Sequence, residues 1–258
     1  MANKRLTIER DGPVARVWLD RPEQLNALDA ELLEDLIRAC DELQHAYETP
    51  VVVLGGRGRA FSAGADRKNP PARVARSTGA GARERRHGAQ LGRRAAEAVE
   101  RLEAITIARL HGHVVGGGLV LALACDLRIA AASTLFRIPE VDLGVPLTWG
   151  AAPRLAREVG VARAKELILL CDRFDAATAA RYGLVNRVVP DDQLDAAVDD
   201  WAQRLAAKPP WALHMTKTQF QAYARAATLG DVTALDGDLI TAATVEDPTR
   251  FRFPPRTR

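Results

Sequence analysis

The feature that most constrains this chain is a run of three glycines, Gly116 to Gly118, where one backbone pattern gives way to another. Before it, Ile105-Thr106-Ile107-Ala108-Arg109-Leu110 reads as a buried strand. After it, Leu119 to Cys125 has no polar break and predicts a helix. A strand, a glycine turn and a helix start leave backbone N–H groups unpaired at the helix N-terminus, where they can bind an anion. Glycine also lets another group approach that backbone, because no Cβ blocks it. The same residues fit a tight turn between two core elements. Taken alone, the triplet leaves both readings open.

A chain of 258 residues makes one large domain, or one domain with a small appendage. We place a core at residues 1–190 and a helical oligomerisation region with a tail at 191–258. A net charge of +3 is too small to imply nucleic acid. Cys40, Cys125 and Cys171 are far apart, which suggests buried thiols in a reducing compartment and not a disulfide framework or a zinc site. The N-terminal stretch has no apolar signal core, and Leu119 to Cys125 is far too short to span a bilayer. The expectation is a cytoplasmic protein with no membrane partner.

In chain order, Leu6 to Arg10 and Val14 to Leu19 alternate apolar and polar residues around Asp11-Gly12, the pattern of a β-hairpin. Asp29 is placed to cap a helix whose stripe is Leu32, Leu33, Leu36, Ile37, Cys40, Leu43 and Tyr47, closed by Pro50. Val51 to Leu54 is a short buried strand. Gly55 to Asp66 is a second small-residue turn, without the spacing of a dinucleotide fingerprint or a Walker A loop. From Arg67 to Arg101, ten Lys or Arg face three Glu, a net of +7. Residues 68–86 read as a mobile surface segment, followed by a helix to about Glu103. The charge suits either a solvated face or an electrostatic collar for a phosphorylated ligand.

Leu127 to Ala132 is another strand. Phe136 to Gly150 holds two prolines and two glycines and reads as an irregular wall with Glu140 as its first carboxylate. Helices are predicted at Pro153 to Gly160, Val161 to Cys171, Asp175 to Gly183, Asp191 to Ala207 and Pro210 to about Ala227. Leu184 to Val189 is a last strand, and Asp247 to Arg258 an extended tail. Alternating strands and helices argue for an α/β fold with right-handed crossovers.

Five stretches taken together resemble the crotonase superfamily, the enoyl-CoA hydratase and isomerase group. They are Arg21-Pro22 with Asn26-Ala27-Leu28; Ala60 to Asp66; Gly116-Gly117-Gly118 with Ala124 to Ala130; Phe136 to Gly144; and Gly183 to Pro190. The resemblance implies a spiral of ββα units with two roughly perpendicular sheets ringed by helices, assembly into trimers or hexamers, and a coenzyme A thioester as substrate. It implies no permanently bound cofactor and no metal; coenzyme A enters as part of the substrate. By the match of motifs, the backbone N–H groups of Ala65 and Gly117 would form an oxyanion hole. Ala27, Ala63, Asp66, Arg67 and Lys68 would line the coenzyme site. Arg21, Lys68 and the basic collar are candidates for its phosphates.

The family's hydratases use two glutamates. The first would fall at Val120, which cannot move a proton. The second is Glu140. One carboxylate in an apolar pocket suits a proton shuttle, the logic of an enoyl-CoA double-bond isomerase. Three alternatives remain: a hydratase in which Asp142 or His113 replaces the missing glutamate, an acyl-CoA-binding protein without turnover, and a basic RNA-binding member. The last is disfavoured because the +7 segment lacks interleaved aromatics. Trp149 replaces a small residue usual in the family and is expected to reshape the acyl pocket.

Overall fold

The computed structural model describes residues 5–71, 79 and 81–227. The tail expected at Asp247 to Arg258 lies outside them, as does much of the basic segment between Ala72 and Ala80. The chain opens with strands β1 (Leu6–Asp11) and β2 (Val14–Leu19), an antiparallel hairpin with Leu6 opposite Leu19. Gly12 turns it at φ 55°, a conformation that costs glycine nothing. Helix α1 (Ala30–Gln44) follows, capped by the Asp29 carboxylate, which accepts from Leu32 N–H at 2.9 Å. Leu32, Leu33, Leu36, Cys40 and Leu43 of its stripe are buried, and Ile37 is partly buried. Tyr47 is not part of it: the helix stops at Gln44, well before Pro50, and Tyr47 is 81% exposed.

Next come β3 (Val51–Gly56), α2 (Ala82–Ala89), α3 (Leu91–Glu100) and β4 (Ile105–Leu110). The expected direct passage from strand to glycine turn needs correction here. The chain leaves the main sheet after Leu110 and forms β5 (His113–Val115) in a second sheet before α4 (Gly117–Ala124). Then follow β6 (Leu127–Ala131), β7 (Leu135–Arg137), α5 (Ala151–Val159), α6 (Val161–Leu170), β8 (Phe174–Asp175) and α7 (Ala176–Arg181). The last strand, β9 (Arg187–Val189), is shorter than expected. The N–H groups of Leu184 and Val185 both turn back to the Ala179 carbonyl instead of joining the sheet. Helices α8 (Leu194–Ala206) and α9 (Pro210–Ala227) complete the described chain.

The main sheet has strand order β1-β2-β3-β4-β6-β9, parallel after the first hairpin. The second sheet has the order β5-β7-β8. Both faces of the main sheet are covered, which is why its strands are nearly all apolar. Ala15, Val17, Leu19, Val52, Leu54, Ala108, Leu110 and Ala130 point into the core shared with α1, α3 and α4. Their neighbours Val14, Val51, Val53, Ile107 and Ile129 point the other way, onto Leu194, Ala197, Val198 and Ala202 of α8. A boundary at residue 190 therefore cuts through a core cluster, and α8 belongs with the core. None of the described helices is long and apolar enough to cross a membrane.

Asp29 does more than cap α1. Fully buried, it pairs with Arg5 and with Arg21. Removing one side of a buried pair leaves uncompensated charge. Asp29→Ala is expected to lower the unfolding free energy by about 3 kcal/mol in urea denaturation, and Asp29→Asn, which keeps the cap, to recover about 1 kcal/mol of it.

Candidate active site

Two glycine-containing turns meet beside β5. The loop after β3 lies along that strand: Phe61 N–H donates to the His111 carbonyl at 2.8 Å, Ser62 N–H to His113 at 3.0 Å, and Val115 N–H back to Ser62 at 3.0 Å. On its other edge the loop pairs with the segment before α1. Leu28 N–H donates to Gly64 and Asp66 N–H to Leu28, both at 2.8 Å, and Ala63 N–H donates to Leu25 at 2.9 Å. Gly64 has φ 87°, and a β-carbon there would stand 2.7 Å from the Val115 carbonyl oxygen and 3.6 Å from the Gly117 nitrogen. This close approach sets Ala65 and Gly117 side by side.

The N–H groups of Ala65 and Gly117 take no part in the hydrogen bonds that hold these loops. Gly117 is the first residue of α4, so its N–H also lies at the positive end of the helix dipole. Two such donors, held by bonds their neighbours make, can stabilise an anionic oxygen, each by roughly 2.7–4 kcal/mol in a reaction that develops charge there.

Glu140 closes the other side. A β-carbon on Gly116 would lie 2.5 Å from its Oε1, so the carboxyl rests against the residue before Gly117. Its Oε2 is buried and has no hydrogen-bond partner among the described residues. Burial pushes the carboxyl up to about 7, outweighing its own backbone N–H and the Arg137 guanidinium, which both pull it down. A carboxylate with this poise takes and returns protons near neutral pH.

A profile of the family described as Enoyl-CoA hydratase/isomerase matches residues 9–250. The chain belongs to the enoyl-CoA hydratase/isomerase family. It is 34% identical over 218 residues to a short-chain-enoyl-CoA hydratase of Clostridium acetobutylicum, covering 84% of this chain and 81% of that one. It is 33% identical over 214 residues to a peroxisomal Delta(3,5)-Delta(2,4)-dienoyl-CoA isomerase of Arabidopsis thaliana, covering 80% and 77%. Among solved structures, an enoyl-CoA hydratase from Bacillus anthracis superposes with a TM-score of 0.78 at 32% identity, over 96% of this chain and 93% of that one. A monofunctional enoyl CoA isomerase from M. smegmatis gives 0.71 at 32% identity, over 88% and 97%. The fold is thus the family's crotonase fold.

Within this family enzyme the expected site residues divide into two groups. Glu140 and Trp149 lie against Gly116 and Gly117, and Ala65 directly follows Gly64, which abuts Val115 and Gly117. Val120 lies one helical turn on, buried in the core. Ala63 and Ala27 sit on the two paired loop segments. Arg67 and Lys68 are exposed just beyond them.

Arg21 and Asp66 have other work. Arg21 donates to the Asp66 carboxylate at 2.9 Å and to the Ala27 carbonyl, and it pairs with Asp29 at 3.3 Å. Asp66 also accepts from the N–H groups of Lys68 and Asn69. These bonds keep the Asp66 carboxyl below the usual carboxylate range, despite burial pushing it up. The pair ties the loop to α1, and Arg21 has no free charge for a phosphate.

Asp142 needs a correction. Val141–Leu143 is a 3-10 turn, not an extended segment, so Asp142 turns away from Glu140 to pair with Arg137 at 2.7 Å. His113 is exposed on β5. His111 is held by Arg109 and the Gly58 carbonyl on the far side of the loop.

The structural roles of Asn26, Ser62 and Gly92 are absent from the sequence reading. Asn26 is buried at φ 54° and donates to the carbonyls of Arg57 and Ala60. Ser62 Oγ donates to the Asn26 carbonyl and accepts from Gly64 N–H. The Asn in Leu25-Asn26-Ala27 was a legible signal, since Asn tolerates left-handed backbone. The roles of Ser62 and Gly92 had none, because their partners are distant in sequence.

The raised Glu140 carboxyl has a stability consequence. The unfolded chain ionises near 4.5 and the folded one near 7, so this group's contribution is lost as pH rises through that window. Glu140→Gln is therefore expected to stabilise the protein by on the order of 1–3 kcal/mol at pH 8 and to have no such effect at pH 4, read from melting curves at both.

Proposed function

We propose that this protein is an enoyl-CoA double-bond isomerase with Glu140 as its only proton carrier. A 3-enoyl-CoA thioester would place its carbonyl oxygen on the N–H groups of Ala65 and Gly117. Glu140 removes a proton from C2, and the negative charge moves onto that oxygen. The same carboxyl returns the proton to C4, and the double bond now joins C2 and C3. Two fixed donors and a carboxyl with a raised pKa suit each half of this cycle.

The observation that carries this reading over hydration is the pairing of Glu140 with Val120. Adding water needs a second group to hold and activate it, and Val120 offers none. Similarity to hydratases favours the other reading, in which water is activated by a group outside this pair. For the coenzyme phosphates we propose the exposed Arg67 and Lys68 together with a groove along α2 and α3. That groove measures about 680 Å³ and is lined by Arg83, Arg86, His87, Arg93 and Arg94.

We also propose that the enzyme assembles into trimers or hexamers. The exposed apolar side chains of α9, Trp211, Met215, Phe220 and Tyr223, fit such a role. Light scattering is expected to give a mass of three or six chains, and a monomer would reject this part.

Wild-type protein is expected to isomerise 3-hexenoyl-CoA with kcat/KM rising about tenfold per pH unit below 7 and levelling above it, since the base must be ionised. Glu140→Gln is expected to lower kcat by more than about a hundredfold while CoA-ester binding survives. Hydration of crotonyl-CoA faster than isomerisation, or an active Gln variant, would reject the isomerase reading.

A further inference from the structure

Trp149 packs onto Gly117, the first residue of α4. A β-carbon on Gly117 would meet its Cζ3 at 2.4 Å and its Cη2 at 2.8 Å, so the six-membered ring lies on the residue whose N–H faces the thioester oxygen. The other end of the indole reaches α3, where a β-carbon on Gly92 would lie 1.9 Å from Cε2. Two helices thus lack side chains where the ring sits. Leu28 Cδ1 comes within 3.2 Å of the same Gly117 position and closes the near side.

The ring is held in place. Trp149 has φ 60° and the following Gly150 φ 71°, and left-handed backbone under a bulky side chain costs on the order of 1–3 kcal/mol. Such a conformation persists only when its surroundings enforce it. Arg154 does so, donating to the carbonyls of Trp149 and Gly150 at 3.0 Å each while its guanidinium pairs with Glu100 at 2.6 Å. A side chain fixed by its backbone, by two glycine notches and by a half-buried ion pair is a wall and not a swinging gate.

We propose that the Trp149 indole closes the acyl pocket just beyond the thioester carbonyl and restricts this enzyme to short-chain acyl-CoA thioesters. The inference rests on the acyl-CoA reading above and adds a limit on chain length. Gly92 is the complementary residue, since only a missing Cβ leaves room for the indole to lie back against α3. Adding a methyl there drives the ring toward Gly117 and narrows the pocket further.

The test uses binding, which does not depend on which reaction follows. Affinities of the whole protein for butanoyl-CoA and decanoyl-CoA are measured by calorimetry for wild type, Trp149→Gly, Trp149→Phe and Gly92→Ala. Wild type is expected to bind butanoyl-CoA more than about tenfold tighter than decanoyl-CoA, against the trend of apolar burial, which favours the longer chain. Trp149→Gly, which also relieves the left-handed strain, is expected to abolish that gap, and Trp149→Phe to narrow it. Gly92→Ala is expected to weaken even butanoyl-CoA. Trp149→Phe keeps an aromatic ring and guards against a Gly variant that fails to fold. Equal wild-type affinities, or a gap unchanged in both Trp149 variants, would overturn the proposal while leaving the acyl-CoA reading intact. Failure of the wild type to bind either ester would overturn that reading, and this one with it.

Discussion

Ala65 and Gly117 keep their N–H groups open because the backbone around them is bonded elsewhere. The loop from Phe61 to Asp66 lies between β5 and the Leu25–Leu28 segment, bonded on both edges. Buried backbone donors rarely go without a partner. Gly117 is buried and Ala65 is exposed at the mouth of the cradle, which suits the ligand oxygen proposed above. Everything that positions this pair is structural chemistry of an ordinary kind: an Asn in left-handed backbone, a serine hydroxyl bridging two turns, and an Arg21–Asp66 pair anchored on the helix-capping Asp29.

The second constraint is steric. Gly64, Gly116, Gly117, Gly118 and Gly92 face the Val115 carbonyl, Glu140, Trp149, Ser62 and Trp149 again, each closer than a Cβ would allow. The glycines thus serve close approach as much as turning. They bring a carboxyl, a hydroxyl and an indole against the start of α4, where the helix dipole is strongest. Glu140 bears the cost, since an unpartnered buried carboxyl oxygen disfavours ionisation and destabilises the folded chain above pH 7. The same penalty moves its titration toward neutral pH, as the proposed base requires.

Much of the fold was legible in the sequence because its signals are local. The Asp11-Gly12 hairpin, the Asp29 cap and the stripe of α1 all depend on residues a few positions apart. The readings that failed were those needing distant partners. Tyr47 continued the helical spacing past the end of its helix. Leu184 and Val185 looked like strand because they are apolar, yet they cover the inner core from a turn. The boundary at residue 190 missed α8, whose apolar face is matched by strands more than sixty residues earlier. Asp142 would share a side with Glu140 only in extended backbone, and the 3-10 turn rotates it onto Arg137.

By itself, then, the sequence determined the family, the glycine turns, a carboxylate at position 140 and a valine at position 120. Each of these is a matter of residue type at a fixed spacing, which the chain carries however it folds. Tertiary structure alone decided that Arg21 is spent on Asp66 and Asp29, that Glu140 lies against Gly116 with an unpartnered oxygen, and that Trp149 fits into notches at Gly92 and Gly117. Charge pairing, desolvation and steric fit depend on which atoms meet across long stretches of chain, and no spacing along the sequence encodes those distances.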